Sequence, residues 1–390
     1  MVQFILFTLI SLLMLGCGPK YTAKNGTVYK DGTPLPLYGV NWFGFETCDC
    51  APHGLWSGRS IEDILSQLKA LGFNAIRLPV GPEVLRNNCI TPSWVKVGEP
   101  NYPEEPFDGL KYFLSKAKDE GFYVLLDLHT FKCDLINKKL PGMPFDPNRG
   151  YTKEDWLSDL RRMARLSLEF SNIFAIDLFN EPYLLTWEQW SSLVKEGGME
   201  VLRINPRVLI SVNGVGDLSY NGGYGTYWGE NLTLAVDHLG LGDRIIYMPH
   251  VYGPSVHYQS YFNDPNFPEN MPTIWNIHFG HLTEKGIPWG VGEFGGWYED
   301  KDKTWQDRFV DYLKEKRVKI WFYWSLNPNS EDTGGTLQTS WPPCHKNFSC
   351  LCPPQRPWLS CHPLPPLGPL SLGQPFSLSL LPLRHLPCLP

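Results

Sequence analysis

Residues 60–80, SIEDILSQLKALGFNAIRLPV, combine two patterns that together indicate one helix-to-strand unit. In the first part, apolar residues recur every three or four positions, which predicts an amphipathic helix. Ser60 is a suitable N-cap for this helix, and Gly72 can adopt the left-handed conformation that ends it. The apolar run AIRLPV at 75–80 then predicts a strand. The stretch therefore predicts one unit of an α/β protein.

The same alternation of strand and helix continues from about Tyr38 to Asn327. Residues 153–170 and 303–317 show the same helical spacing of apolar residues. The eight apolar runs that we interpret as strands are 37–44, 75–80, 123–129, 173–180, 208–214, 245–252, 288–295 and 320–327. Eight parallel strands with crossover helices close into a single (β/α)8 TIM barrel, so we predict that α/β fold. A doubly wound open sheet is the alternative, but no Gly-rich phosphate loop follows the first strand.

The N-terminal part of the chain differs from this region. Residues 4–15 form an apolar run that is too short to span a bilayer, and small and turn-forming residues follow it. This pattern predicts a signal peptide over 1–20 and a secreted protein with no membrane-spanning segment in the mature chain. Residues 21–36 contain the turn dipeptides Asn-Gly and Asp-Gly, which predict a small hairpin at the bottom of the barrel.

Short motifs disagree about how the protein is processed. Residues Met14 to Cys17 resemble the cleavage site of a bacterial lipoprotein. The tripeptides that begin at Asn25, Asn231 and Asn347 fit the acceptor pattern for N-glycosylation in a eukaryote. Such tripeptides often arise by chance, so the organism and lipid anchoring stay open.

Residues 341–390 form a tail of unusual composition. They include 13 Pro, 12 Leu and 5 of the 10 Cys, and they contain no Asp or Glu. Proline removes backbone donors and blocks helices, and no periodic apolar face exists. We therefore predict irregular chain that contributes nothing to catalysis.

Composition and charge exclude some classes of partner. The chain has 390 residues, a net charge of −6 and a pI near 5.9, so it lacks an electrostatic footprint for nucleic acid or an anionic membrane. Its 15 Trp are more than packing usually requires, and flat indole faces stack on sugar rings. We expect a monomer that binds a neutral polysaccharide.

Polar and aromatic side chains end seven of the predicted strands, at the edge where a (β/α)8 barrel has its active site. They are Trp42, Arg77, His129, Asn180, Glu181, His250, Tyr252, Glu293 and Trp324. Glycoside hydrolysis needs two carboxyl groups across the scissile bond. Glu181 and Glu293 end the fourth and seventh strands, so they can face each other across the ring. A raised pKa would let one Glu donate a proton, and Arg77 and His250 could hold the other ionised.

These residues lie in segments that resemble glycoside hydrolase family 5, and within it the cellulase branch. The resemblance covers residues 37 to 338 and rests on LYGVNWFGFETC, GLWS, NAIRLPV, DLHTF, DLFNEP, YWGENL, PHVYGPSV, MPTIWN, WGVGEFG and WSLNPNSEDTGG. It implies a secreted retaining endo-β-1,4-glucanase, a cellulase, that acts on β-glucan without a cofactor or metal. The family has a final helix after the eighth strand, where this chain has its tail. We therefore expect a catalytic domain over 21–340 whose final helix is missing or atypical.

The resemblance also implies a role for each candidate site residue. Glu181 matches the acid/base and Glu293 matches the nucleophile. The residues matched to substrate binding are Asn180 at the sugar 2-hydroxyl, Arg77 and Tyr252 around the nucleophile, His129 and His250 in the −1 subsite, Trp324 as its stacking floor, and Trp42 and Trp228 as further cleft aromatics.

Four cysteines lie in loops after the first three predicted strands, at Cys48, Cys50, Cys89 and Cys133. A secreted protein meets an oxidising environment, so disulfides are expected rather than free thiols. Four cysteines allow three pairings, and the resemblance favours Cys48 with Cys133, which leaves Cys50 with Cys89. The one-residue gap between Cys48 and Cys50 is poor spacing for zinc, so no metal site is expected.

Two other functions are compatible with the same residues. The first is a β-glycanase of the same fold that acts on mannan, on xyloglucan or on a lipid-linked glycoside, because the groups at the scissile bond are shared. The second is a catalytically impaired carbohydrate-binding protein, for which the atypical C-terminal region is the argument. The presence of both carboxyl groups speaks against the second function.

Overall fold

The computed structural model describes residues 18–135 and 142–337. Most of the predicted signal peptide, the end of the predicted catalytic domain at 338–340 and the tail at 341–390 lie outside these ranges, so the expectation of a missing or atypical final helix stays a prediction. Within the described ranges, no helix has the length and apolar character needed to cross a membrane.

The barrel sheet contains nine parallel strands among the described residues. The strands of the chain are β1 (Tyr21–Lys24), β2 (Thr27–Lys30), β3 (Thr33–Leu35), β4 (Leu37–Asn41), β5 (Ala75–Val80), β6 (Tyr123–Leu128), β7 (Ile173–Asp177), β8 (Leu209–Val212), β9 (Ile245–Tyr247), β10 (His250–Tyr252), β11 (Val291–Gly295) and β12 (Ile320–Tyr323). The order in the sheet is β10-β11-β12-β4-β5-β6-β7-β8-β9. All eight predicted strands are confirmed; β5 has the predicted bounds, and the other strands are shorter than the apolar runs.

The sixth barrel strand is interrupted, and this interruption closes the sheet. β9 pairs with β8, and β10 pairs with β11. Only Met248 and Pro249 separate β9 from β10, so the two ends of the strand order are consecutive in the chain. Tyr247 also forms a parallel bridge with Trp289, next to β11. The nine segments therefore form the eight-stranded barrel that the sequence predicts.

Helices surround this sheet. They are α1 (Ile61–Ala70), α2 (Pro82–Arg86), α3 (Val95–Gly98), α4 (Pro106–Asp119), α5 (Lys153–Glu169), α6 (Trp187–Ile204), α7 (Met271–His278) and α8 (Asp300–Glu315), with short 3-10 helices at Leu55–Ser57, Cys133–Leu135, Pro147–Arg149, Gly242–Arg244, Ser260–Asn263 and Gly280–Leu282. Ser60 caps α1 in a reciprocal capping box with Asp63, and Gly72 has a φ of +92°. The predicted start and end signals of this helix are confirmed.

The N-terminal end of the barrel is filled by apolar side chains. β1, β2 and β3 form an antiparallel sheet in place of the single predicted hairpin. Tyr21 from this sheet is 2% exposed and donates its hydroxyl to the carbonyl of Ser171. It packs with inward-facing residues of the barrel strands, among them Leu125, Phe174 and Phe322. Among residues 18–135 and 142–337, side chains fill this end, and the polar strand-end residues lie at the opposite end.

Two disulfides connect the loops that follow the first three barrel strands. Cys48 is bonded to Cys133, and Cys50 is bonded to Cys89, which is the pairing that the resemblance implies. The loop after β4 is thereby tied to the loops after β5 and β6. These loops form one side of the C-terminal rim of the barrel.

Candidate active site

Glu293 lies on β11 with both carboxylate oxygens engaged by buried donors. The side chain is 4% exposed. Arg77 on β5 donates from Nη1 to Oε1 at 2.5 Å, and Tyr252 on β10 donates its hydroxyl to Oε2 at 2.5 Å. Both donors favour the ionised form of the carboxyl group. The structure thus brings these three predicted residues together.

Glu181 lies opposite, just beyond the end of β7. Its φ of +48° is a left-handed conformation that non-glycine residues rarely adopt. Its backbone N–H donates to Oδ1 of Asn213 at 3.0 Å, which helps to hold this conformation. The side chain is 23% exposed, so this carboxyl group is more open to solvent than that of Glu293.

His250 on β10 lies between the two carboxyl groups. Its Nδ1 is 3.0 Å from Oε1 of Glu181 and 3.5 Å from Oε2 of Glu293. One carboxylate oxygen of Glu181, one of Glu293 and one ring nitrogen of His250 all lie within 4.8 Å of one another. The two carboxyl groups are therefore close enough to act on one glycosidic bond.

The surroundings of the two carboxyl groups affect their pKa values differently. Burial raises the pKa of Glu181 well above its ordinary value, and the negative charge of Glu293 raises it further. Burial also raises the pKa of Glu293, but the positive charge of Arg77 and the hydroxyl of Tyr252 oppose that rise. These contacts favour ionisation of Glu293 over ionisation of Glu181.

The predicted charge on His250 is corrected by the structure. Its side chain is fully buried, and burial lowers its pKa well below the ordinary value, with the nearby charge of Arg77 acting in the same direction. A neutral imidazole cannot hold a glutamate ionised through charge. Arg77 supplies the larger part of that charge, His129 acts on the pKa of Glu293 in the same direction, and His250 instead shares a hydrogen bond with Glu181.

Arg77 is held by residues that the strand-end pattern did not reveal. Nη2 lies 3.0 Å from Oδ2 of Asp127 and 3.2 Å from Oδ2 of Asp177, and Nη1 donates to Oδ1 of Asn41 at 3.1 Å. Burial raises the pKa of Asp127 and of Asp177 to about 7, against the opposing charge of Arg77. Below neutral pH these two carboxyl groups therefore compete weakly with Glu293 for the guanidinium group.

A period of two could have identified one of these residues, Asp127, from the sequence. Asp127 lies two positions before His129, so both point to the same face of the strand, whereas Asp177 lies three positions before Asn180 and has no such signal. Asp127 also bonds His129, with Oδ2 at 2.6 Å from Nδ1.

His129 and Trp324 form a flat wall beside the carboxyl pair. Their rings stack at 5.7 Å with an interplanar angle of 10°. Trp324 also contacts Phe43, with ring centroids 5.7 Å apart and an interplanar angle of 15°. Asn180 accepts from Nη2 of Arg77 through Oδ1 at 2.9 Å, and its amide nitrogen lies 3.4 Å from Nε2 of His129. The amide group is thereby oriented next to this wall.

The prediction that Trp42 lines the cleft is wrong. Trp42 is fully buried, its indole packs edge-on against Phe113 on α4, and Nε1 donates to the carbonyl of His53 at 2.9 Å. Because residues alternate along a strand, Trp42 follows the inward-facing Asn41 and points to the helix layer. A buried indole of this kind cannot stack on a sugar.

Other aromatic rings are exposed near the pair. Trp228 is 44% exposed and stacks on Tyr183 with ring centroids 4.0 Å apart. On the other side, ring contacts lead from Phe43 to His53 and from His53 to Trp56, which is 38% exposed. The sequence predicted Trp228 but did not single out the other rings.

The group of Glu181, His250 and Glu293 also has the spacing of metal ligands within the described part of the chain. Arg77 and Tyr252 already donate to the two oxygens of Glu293. Since a guanidinium group repels a cation at the same place, the donor set fits proton transfer and nucleophilic attack better.

Comparisons with known proteins agree with this geometry. Residues 28–330 match the family described as Cellulase (glycosyl hydrolase family 5). The chain is 39% identical over 355 residues to the major extracellular endoglucanase of Xanthomonas campestris pv. campestris, covering 85% of this chain and 71% of that protein. It is 34% identical over 344 residues to an endoglucanase of Paenibacillus polymyxa, covering 83% of each.

Solved structures show the same fold. An endocellulase of Pyrococcus horikoshii in complex with cellotetraose is 32% identical, with a TM-score of 0.79 and coverage of 86% of this chain and 98% of that one. The catalytic domain of the Xanthomonas enzyme is 38% identical, with a TM-score of 0.78 and coverage of 85% and 98%. With the family match extending over most of the barrel and the carboxyl pair in place, the chain belongs to glycosyl hydrolase family 5, the cellulase family.

Proposed function

We propose that this protein is a retaining endo-β-1,4-glucanase in which Glu293 is the nucleophile and Glu181 is the acid/base. The observation that carries the proposal is the different environment of two facing carboxyl groups. Arg77 and Tyr252 stabilise a carboxylate at Glu293, whereas burial and the charge of Glu293 raise the pKa of Glu181. The endoglucanase names of the similar proteins support the reaction.

The proposed reaction has two displacements at the anomeric carbon. In the first, Glu293 attacks the carbon, Glu181 protonates the departing oxygen, and a glycosyl ester forms. In the second, Glu181 removes a proton from water, which attacks the carbon and releases Glu293. Retaining enzymes place their carboxyl groups about 5 to 5.5 Å apart, and inverting ones about 6.5 to 9.5 Å apart. Oxygens of Glu181 and Glu293 within 4.8 Å of each other support retention.

The surroundings of the pair fit a glucan chain. Trp324 would stack on the sugar in the −1 subsite, and Asn180 would bond its 2-hydroxyl, a contact that strengthens in the transition state. His129 would contact the same sugar. Trp228 lies near Glu181, on the side where the departing sugars would bind. Binding sites on both sides of the pair favour cleavage within a chain.

We also propose that the protein is secreted and acts as a monomer through a catalytic domain over 21–340. The two disulfides fit an oxidising compartment. One similar protein is named as extracellular, which supports the same location here.

Assays on soluble polysaccharides test the substrate. Residues 22–340 and the full chain would be incubated with carboxymethyl-cellulose, mixed-linkage glucan and mannan, and both viscosity and reducing ends would be measured. We expect viscosity to fall early on carboxymethyl-cellulose, because internal cuts shorten chains quickly. Faster hydrolysis of mannan than of both glucans would contradict the proposed specificity. Proton NMR of the first product would show the β-anomer if configuration is retained.

Single replacements test the two roles. Glu293→Ala should abolish turnover on every substrate, because no covalent intermediate can form. Glu181→Ala should retain most of its kcat/KM on 2,4-dinitrophenyl β-cellobioside, whose leaving group needs no proton, and lose about 10²- to 10⁴-fold on cellulosic substrate. An equal response of both variants to the activated substrate would show that the roles are assigned wrongly.

A further inference from the structure

A second pair of titratable residues is buried beside the site and has no part in the proposed reaction. Glu230 is 1% exposed and His278 is fully buried. Nδ1 of His278 lies 2.9 Å from Oε1 of Glu230, and Nε2 of His278 has no hydrogen-bond partner among residues 18–135 and 142–337. Glu230 is therefore the side chain that fixes the orientation of this imidazole ring.

The pair joins the helix layer to a turn at the active site. His278 is the last residue of α7, and its carbonyl accepts from the backbone N–H of Leu232 at 2.9 Å. Oε2 of Glu230 accepts from the backbone N–H of Tyr227 at 2.7 Å. The carboxylate thus closes the segment 227–230 on itself and anchors it to α7.

Segment 227–230 contacts Glu181 directly through Gly229. The carbonyl of Gly229 accepts from Gly214 N–H at 2.8 Å and from His250 N–H at 3.3 Å. A Cβ atom at this position would lie 3.3 Å from Cγ of Glu181 and 3.5 Å from Cγ of His250. Gly229 therefore packs against both Glu181 and the histidine that bonds it, and its φ of +76° favours glycine.

Residues on both sides of Gly229 extend the same contact. Trp228 stacks on Tyr183, two positions after Glu181. The ring of Tyr227 lies 5.9 Å from that of Tyr252, which donates to Glu293. A shift of this segment would consequently move the surroundings of both carboxyl groups.

We propose that Glu230 and His278 are positioning residues that hold segment 227–230 against Glu181 and so keep the acid/base in line with the departing oxygen. The proposal rests on the role proposed above for Glu181. Loss of the Glu230 carboxyl group would leave the buried N–H of Tyr227 and Nδ1 of His278 without this partner, so both contacts that hold segment 227–230 depend on one side chain.

Leaving-group dependence tests this role, because a defect confined to protonation affects only leaving groups that need a proton. For Glu230→Ala, kcat/KM on phenyl β-cellobioside should fall at least about 10-fold, while kcat/KM on 2,4-dinitrophenyl β-cellobioside should stay within about 2-fold. Glu230→Gln keeps an oxygen that can accept from Tyr227 and should restore most of the loss.

Asp159→Ala is the matched control. Asp159 is also a fully buried carboxylate, and it bonds Arg86 and Tyr151 in the helix layer. Its loss should lower the melting temperature without changing the ratio of kcat/KM between the two substrates. Equal losses on both substrates for Glu230→Ala, no loss at all, or no recovery in Glu230→Gln would overturn the proposal.

A crystal structure of Glu230→Ala separates this proposal from the proposed function. We expect segment 227–230 to move and the 3.0 Å contact between His250 and Glu181 to lengthen. An unchanged contact would overturn the positioning role. Inactivity of the wild-type protein on both cellobiosides and on glucan would instead contradict the proposed function, and the crystal structure would still decide the positioning role.

Discussion

At the scale of single residues, neighbours give two identical side chains different properties. Glu293 accepts from Arg77 and Tyr252, while Glu181 has the neutral His250 as its partner. The difference in protonation comes from these contacts and from burial. Replacing a residue that contacts Glu181 or Glu293 should therefore change the pKa of that glutamate while both carboxyl groups stay in place.

Tyr252→Phe should move the acidic limb of the pH profile to higher pH. The hydroxyl of Tyr252 lowers the pKa of Glu293 by bonding its ionised form, so its removal raises that pKa. Hydrogen bonds to charged groups are stronger than those between neutral groups, so we expect a measurable displacement of the limb toward higher pH. The measurement is kcat/KM against pH. A shift to lower pH would contradict the role of this hydroxyl.

Arg77→Met should destabilise the fold as well as the site. It would leave Asp127, Asp177 and Glu293 without their buried cation, and removal of one partner of a buried pair costs about 3 to 5 kcal/mol. Denaturant unfolding measures this loss. Arg161→Met is the control, because its ion pairs with Glu154 and Glu200 lie near the surface and should cost about 1 kcal/mol or less. Equal decreases in the free energy of unfolding for the two variants would show that the ion pairs of Arg77 stabilise the fold no more than a surface ion pair does.

At the scale of elements, the barrel strands divide the interior into an apolar half and a polar half. Inward-facing residues near the strand starts, such as Ala75 and Leu125, belong to the apolar cluster. Two positions further along the same strands, Arg77 and Asp127 face the same interior at the other end. Two disulfides link the loops that follow β4, β5 and β6 at this polar end.

Removing the disulfide between Cys48 and Cys133 should lower stability more than removing the other. A disulfide typically contributes about 2 to 4 kcal/mol, and the contribution grows with the length of the closed loop. The separations are 85 and 39 residues, which corresponds to a difference of about 0.7 kcal/mol. This difference can be measured by comparing the free energy of unfolding of two variants in denaturant, each with both cysteines of one pair replaced by Ser. A larger loss for Cys50 with Cys89 would show that local strain or loop contacts dominate.

At the scale of the whole molecule, one end of the barrel is closed and the other carries the site. The sheet β1–β3 places Tyr21 against the apolar interior, so described side chains fill the N-terminal end. The described site residues lie between Asn41 and Trp324. The tail at 341–390 lies outside the described residues, and its composition predicts no role in catalysis.

Replacing the tail after Thr339 with an amphipathic helix like that of the family should raise the melting temperature and the soluble yield. Without such a helix, the outer faces of β12 and β4 would meet water, and apolar exposure costs about 25 cal/mol per Å². A few hundred Å² would cost several kcal/mol, comparable with the stability of a domain. Scanning calorimetry and secreted yield measure the effect, with the native chain as control. If neither value rises, the tail already covers these strands.

The sequence by itself determined the eight strands, the bounds of α1 and the two facing glutamates. Each depends on local information, because apolar runs, caps and strand-end residues are recognisable within a few neighbouring positions. The tertiary structure alone decided that Trp42 is buried against Phe113 and that His250 is neutral. It also assembled the cluster of Arg77, Asp127 and Asp177 and joined Glu230 to His278. Burial and pKa depend on atoms from distant segments, which no local pattern contains.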